Sequence, residues 1–237
     1  MTSNTHPSIN CEQIYERAEE YWAHQSQDID GMLGGFAHLH SPDIQVSKKF
    51  LSNLKQKNML MNFGYALDCG AGIGRVTKNL LLPLFEKVDM VDVVPELINK
   101  SDEYIGEEPR IGDKFVEGLQ TFSPQEGRYD LIWVQWVSGY LTDEDFIDFF
   151  KRCASAIQPG GVIVLKDNLT SGNKAEFDSE DNSWTRPEEM LLDLLNKAGL
   201  RLVSRSLQTG FPKGMYRVKM FALKPQEESG NNENEEE

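Results

Sequence analysis

The run Ala66-Leu-Asp-Cys-Gly-Ala-Gly-Ile-Gly74 constrains this chain more than any other stretch. A short apolar strand leads into it, and a helical segment leads out of it after Arg75. Three alternating glycines let the backbone turn sharply and leave no side chain between it and a ligand. A strand, a glycine turn and a helix open a parallel sheet with crossover helices, and the following residues continue that pattern. Strands are expected near Tyr65–Asp68, Val88–Val91, Lys114–Glu117, Asp130–Gln135, Val162–Lys166, Arg201–Ser206 and Val218–Leu223. The helix after the fourth strand opens with Thr142-Asp-Glu-Asp145 and carries Phe146, Phe149, Phe150, Cys153 and Ile157 on one face. A later helix has Pro187 near its start, an apolar face from Met190 to Ala198, and Gly199 just past its end.

Ahead of the sheet, helices expected around Cys11–His24 and Ser47–Asn58 flank a glycine-rich loop, Asp30–Gly35. The chain therefore divides into an N-terminal helical extension (1–58), an α/β domain (59–225) and an acidic, low-complexity tail (226–237) that reads as disordered. Acids outnumber bases 38 to 24, and the chain stays acidic even without the tail. Such a surface repels phosphate backbones and favours cationic partners, which argues against nucleic acid as the main target. No stretch approaches the roughly 18 apolar residues of a membrane helix, and Met1–Cys11 lacks the apolar centre of a signal peptide. Cys11, Cys69 and Cys153 are odd in number with no C-x-x-C spacing, so a reduced, intracellular protein is expected. His6, His24, His38 and His40 all precede the sheet, so no histidine dyad or triad arises within it. His38-x-His40 alone offers too few ligands for a metal, and none is expected. Nothing in the sequence marks an oligomeric state.

Asp92 ends the second strand, placed to accept hydrogen bonds from ribose hydroxyls. The glycine spacing is G-x-G-x-G, whereas the dinucleotide fingerprint is G-x-G-x-x-G. Asp68 would sit badly beside a pyrophosphate but suits a ligand bearing an ammonium group, whose carboxylate could pair with Arg75. Asp68, Gly70, Gly72, Gly74, Arg75 and Asp92 thus point to S-adenosylmethionine rather than NAD.

Further segments accompany the loop: Asp30-Gly-Met-Leu-Gly-Gly35, Leu67 to Arg75, Gly118-Leu-Gln120, Trp133-Val-Gln-Trp136, Lys166-Asp-Asn168 and Asp178-x-x-Asp181. With them the chain, from about Tyr15 to Pro225, resembles the protein N-terminal X-Pro-Lys/Arg methyltransferases. The resemblance implies a Rossmann-like class I methyltransferase fold, with a seven-stranded, mostly parallel sheet, helices on both faces and an N-terminal helical extension. It implies methylation of the α-amine of proteins that begin X-Pro-Lys/Arg after loss of the initiator methionine, in nucleus and cytoplasm. By that likeness Gly70, Arg75, Asp92, Leu119, Gln120 and Gln135 hold the cofactor. Trp22, Leu33, Gly34, Trp136, Asn168, Asp178, Asp181, Ser183 and Tyr216 line the peptide channel.

The residue types suit those roles. Trp136 offers a flat apolar face for proline, Asn168 an amide for the terminal residue, and Asp178 a charge for Lys or Arg. Methyl transfer needs a neutral amine, so Asp181 is expected to act as general base. The family usually pairs this aspartate with a histidine, and here the position is Tyr140. A phenol is a poor base near neutrality, so Tyr140 is expected to orient the amine or a water. Two other readings compete: a small-molecule N-methyltransferase, and a non-catalytic cofactor-binding scaffold.

Overall fold

Alternation along the central strands decides which side of the sheet each residue faces, and it also places the site. The structure, a computed structural model, describes residues 11–226. The first ten residues and nearly all of the acidic tail, with the readings made for them, lie outside the described residues.

Seven strands form one sheet: β1 (Tyr65–Cys69), β2 (Lys87–Asp92), β3 (Ile111–Val116), β4 (Tyr129–Gln135), β5 (Ile157–Leu169), β8 (Leu200–Leu207) and β9 (Arg217–Pro225). Their order is β3-β2-β1-β4-β5-β9-β8. Pairing is parallel through β5, and β9 runs antiparallel to both its neighbours. This is the seven-stranded, mostly parallel sheet expected. A separate hairpin, β6 (Glu176–Asp178) with β7 (Ser183–Thr185), was not foreseen. Its strands of three residues are too short and too polar to show a period.

Leu67, Ile132, Val134, Ile163 and Leu165 point to one face. There they meet Phe146, Phe149, Phe150 and Cys153 of α5 (Asp143–Ala156) and Leu191, Leu194 and Leu195 of α6 (Glu188–Lys197). All three phenylalanines are wholly buried, each contributing about 1.5–3 kcal/mol. Thr142 caps α5 by accepting from the Asp145 N–H, as its sequence suggested. Ala66, Leu131, Trp133, Val162 and Val164 point the other way, onto Phe50, Leu51 and Leu54 of α3 (His40–Gln56). Helices thus cover both faces. α4 (Pro95–Ile105) crosses from β2 to β3.

α3 starts at His40, a turn and more before the expected Ser47, because Pro42 sits in its first turn, where its missing N–H costs nothing. The earlier start brings Asp43 into the helix and turns it towards the sheet. α1 (Cys11–Ala23) lies where expected. Within Asp30–Gly35 the chain makes one helical turn, α2 (Ile29–Met32), capped by the Asp28 carboxylate, then two left-handed glycines.

Between β1 and β4 the strand order reverses direction. In open α/β sheets the crevice at that switch, beyond the carboxyl ends of the strands, is where ligands bind.

Candidate active site

The cavity at that crevice has a volume of about 670 Å³. Its floor is the glycine turn. Gly70 there has φ +68, and a Cβ on it would lie 2.7 Å from the Val137 side chain. Gly70 and Ala71 donate their N–H groups to the Val91 carbonyl, which ties the turn to β2. Asp92 accepts from the Gly72 and Val94 N–H groups, at 2.8 and 3.0 Å, and still lines the cavity. A carboxylate held by two N–H groups keeps lone pairs for ribose hydroxyls. Burial raises its pKa. Asp68 accepts from Thr77 Oγ1 at 2.6 Å, and burial pushes its pKa up to about 7. Leu119 and Gln120, after β3, and Trp22, from α1, complete the enclosure.

At the end of β4 the cavity wall passes to Gln135 and Trp136. Trp136 has φ +53, a conformation that costs a bulky side chain energy and that the surroundings must enforce. Its Nε1 is buried without a hydrogen-bond partner among the described residues. Tyr140 also lines the cavity and packs edge-on to Trp22 at 6.2 Å. Its hydroxyl donates to Asp181 Oδ2 at 2.9 Å. Burial first, then the Asp181 charge, hold this phenol well above its ordinary pKa. Asp181 Oδ1 accepts from the Ser183 N–H at 3.1 Å, so the tip of the hairpin holds the carboxylate from the other side. Exposed Asp178 pairs with Ser183 across the hairpin.

This arrangement places a nucleoside-sized cavity against a tethered carboxylate, and the comparisons with known proteins give it a family. Residues 10–224 match the family described as AdoMet dependent proline di-methyltransferase. The chain belongs to that family. An alpha N-terminal protein methyltransferase 1 from Caenorhabditis elegans is 64% identical, over 95% of this chain and 97% of its own. An N-terminal Xaa-Pro-Lys N-methyltransferase 1 from Xenopus tropicalis is 47% identical, over 90% and 96%. Among solved structures, a SAM-dependent methyltransferase from Leishmania major superposes with a TM-score of 0.84 at 36% identity, covering 89% of this chain and 83% of the other.

In this proline methyltransferase the cavity gathers Trp22, Asp68, Gly70, Arg75, Asp92, Leu119, Gln120, Gln135, Trp136 and Tyr140. Asp181 stands behind Tyr140, with Ser183 and Asp178 beyond it on the hairpin. Other expected site residues lie elsewhere. Gly72 and Gly74 do not line the cavity. A Cβ on Gly72 would strike the Met32 sulfur at 2.5 Å, and one on Gly74 would strike Ile105 at 2.6 Å. Both glycines serve close packing of chain on chain. Leu33 is buried and Gly34 exposed, outside the cavity wall. Asn168, half-buried at the end of β5, also stands outside that wall, with its N–H given to Asp167. Tyr216 is exposed at the hairpin's flank, donating to Glu176 at 2.7 Å.

Arg75 was expected to face a ligand carboxylate, yet its Nη1 is already bonded to Asp43 at 2.7 Å. Asp43 is a residue that sequence reasoning missed. An acid in the first turn of a helix ordinarily serves the helix dipole, so nothing local set it apart. Tyr15 was missed too: it lines the cavity and donates to Asp145 at the start of α5. Nothing in its own stretch of sequence set it apart.

Proposed function

We propose that this chain transfers methyl groups from S-adenosylmethionine to the α-amine of protein N-termini beginning X-Pro-Lys or X-Pro-Arg, exposed by loss of the initiator methionine. The observation that carries the reading is Tyr140, which belongs to the cavity wall and at the same time hands a hydrogen bond to Asp181 on the hairpin. Membership of the proline methyltransferase family and the names of the relatives support the same reaction and substrate class.

The residues present fit the cofactor. Asp68 suits its ammonium, Arg75 its carboxylate and Asp92 its ribose, and all three line one cavity of about 670 Å³. When bound, S-adenosylmethionine supplies a methyl group activated by its sulfonium. The chain supplies position and a proton acceptor. Trp136, in the cavity wall, presents its ring to the proline. Asp178 faces the Lys or Arg side chain from the hairpin. Asp181 takes the proton that leaves the α-amine, and Tyr140 holds that carboxylate in place.

Mass spectrometry of a Ser-Pro-Lys peptide, with S-adenosylmethionine and full-length enzyme, tests this reading. Mass gain in steps of one methyl is expected on the free amine and absent when the amine is blocked. The number of steps reads the methylation state. No gain, with cofactor binding intact, would reject the proposed acceptor. Unlike a small-molecule N-methyltransferase, this enzyme should be inhibited by basic Pro-second peptides and not by small amines. The compartments, nucleus and cytoplasm, belong to the same proposal and are read by cell fractionation.

A further inference from the structure

A buried polar cluster lies behind the cavity, between α3 and the carboxyl ends of β4 and β5. Asp43 is its centre and is wholly buried. One of its oxygens takes Arg75 Nη1 at 2.7 Å; the other takes Lys166 Nζ and Gln135 Nε2, the latter at 2.9 Å. Lys166, also wholly buried, donates further to Ser47 Oγ at 2.8 Å and Gln208 Oε1 at 2.7 Å. Burial of this lysine lowers its pKa to about 8, against the pull of Asp43. For Asp43 burial acts upward, but the Lys166 and Arg75 charges prevail and keep its pKa low. One carboxylate therefore serves two buried cations.

Both cations also reach the same ring. Arg75 Cζ lies 5.6 Å from the Trp136 centroid, and Lys166 Nζ lies 5.9 Å from it. A cation within about 6 Å of an indole centroid is attracted by the negative face of the ring, more strongly when both are desolvated. Arg75 and Gln135 line the cavity as well. The same few side chains thus touch the cofactor's space on one side and the aromatic platform on the other. A ligand carboxylate that draws on Arg75 competes with Asp43 for the guanidinium. With the guanidinium shared between two carboxylates, Arg75 and Lys166 would be held more firmly against the Trp136 ring, and the platform would be fixed before the peptide arrives.

We infer that Asp43 is a positioning residue that couples the cofactor end of the site to the peptide platform. The coupling makes either ligand bind more tightly when the other is present. This rests on the proposed function, with Arg75 serving the cofactor and Trp136 the peptide. Coupling between two sites is reciprocal and typically worth 5- to 150-fold in affinity.

Calorimetry on the full chain tests the inference. The peptide Kd is measured with and without saturating S-adenosylhomocysteine, for wild type and for Asp43→Asn. Wild type should bind a Ser-Pro-Lys peptide at least about fivefold more tightly with the cofactor product present. Asp43→Asn should bring that ratio to within twofold of unity, and the peptide KM should rise by more than kcat falls. Leu54→Ala removes a wholly buried side chain from the same helix without touching the cluster; it should lower Tm and keep the ratio. If Asp43→Asn does not fold, Lys166→Met removes one arm of the cluster and should lose the ratio too. A ratio unchanged in Asp43→Asn or Lys166→Met, or a ratio of one in wild type that binds both ligands, would overturn the inference alone. Wild type that binds no peptide would overturn the proposed function instead.

Discussion

Replacing Asp181 by Asn tests the chemistry directly, because the change is nearly isosteric. The Ser183 N–H can still donate to the side-chain oxygen, as it does now at 3.1 Å. The Tyr140 hydroxyl loses a charged acceptor at 2.9 Å. On a half-exposed hairpin that loss should cost about 1 kcal/mol of stability, a Tm shift of about 2–4 °C. Asp181 is absent from the cofactor cavity wall, so cofactor Kd should stay within twofold of wild type. The rate should fall far more. An α-amine with a pKa of about 7.7–8.0 is only roughly 10–17% neutral at pH 7. Deprotonation alone therefore accounts for about a tenfold loss, and removal of a positioned general base for about 10²- to 10⁴-fold. The two parts separate by pH, since the first disappears as the free amine fills above pH 8. Steady-state kinetics from pH 6.5 to 9.5 at saturating peptide should show a deficit at least tenfold smaller at the alkaline end. A deficit equal at every pH, or a kcat within twofold of wild type at pH 7, would remove Asp181 as the base.

Tyr140→Phe keeps the ring in the cavity wall but removes a bond to a charged group worth about 1.5–3 kcal/mol in holding Asp181; with the carboxylate no longer oriented, kcat should fall about tenfold. Cofactor Kd, measured alongside by calorimetry, should not follow. Gly70→Ala combines a left-handed φ of +68 with a Cβ placed 2.7 Å from Val137. The backbone cost of about 1–2 kcal/mol plus the contact should lower Tm and displace the turn, so that cofactor affinity falls about tenfold or more; a lowered Tm with unchanged affinity would mean the turn does not meet the ligand. Asp68 titrates near pH 7 because burial raises it, so cofactor affinity should rise about tenfold between pH 6 and 8 as the carboxylate ionises to meet the ammonium. The same shift makes Asp68's contribution to stability complete below about pH 4, lost progressively towards pH 7 and level beyond. Asp68→Asn should flatten the affinity profile; a slope that survives belongs to another group.

The strands, the glycine turn and the cofactor end were legible in the sequence because their signals are local. Period-two alternation, helix caps and glycine spacing all act within a few residues, and β1, β2, β4, α5 and α6 follow from them. The contacts that brace the cavity are built over long separations. Asp43 meets Gln135 across 92 residues and Lys166 across 123. Tyr15 meets Asp145 across 130. No window of sequence contains both members of such a pair, and each acid taken alone resembles an ordinary helix-start or loop carboxylate. The glycines of the turn show the converse limit. Their spacing signals a tight turn, but only the packing distinguishes Gly70, which faces the ligand space, from Gly72 and Gly74, which admit Met32 and Ile105. Asp178 and Asp181 became visible through family resemblance, not through their own spacing.

Tyr140 changes the logic of the acceptor end relative to a histidine at the same position. An imidazole would titrate near pH 6.5 and could carry charge or hold the amine's proton itself. The phenol here stays protonated at any working pH, since burial and the Asp181 charge both hold its pKa up. Its single proton is donated to Asp181, so it is not available to take the amine's proton as an imidazole could. The carboxylate is thereby oriented by a neutral partner whose bond does not switch with pH. On the proposed function, Asp181 and the substrate amine are the groups left to exchange the proton. The amine is already close to its own pKa at neutrality, so a carboxylate fixed in position meets the requirement without a second titrating base. On that reading a tyrosine in place of the family's histidine leaves a competent site as long as the bond from Tyr140 and the support from the Ser183 N–H both remain.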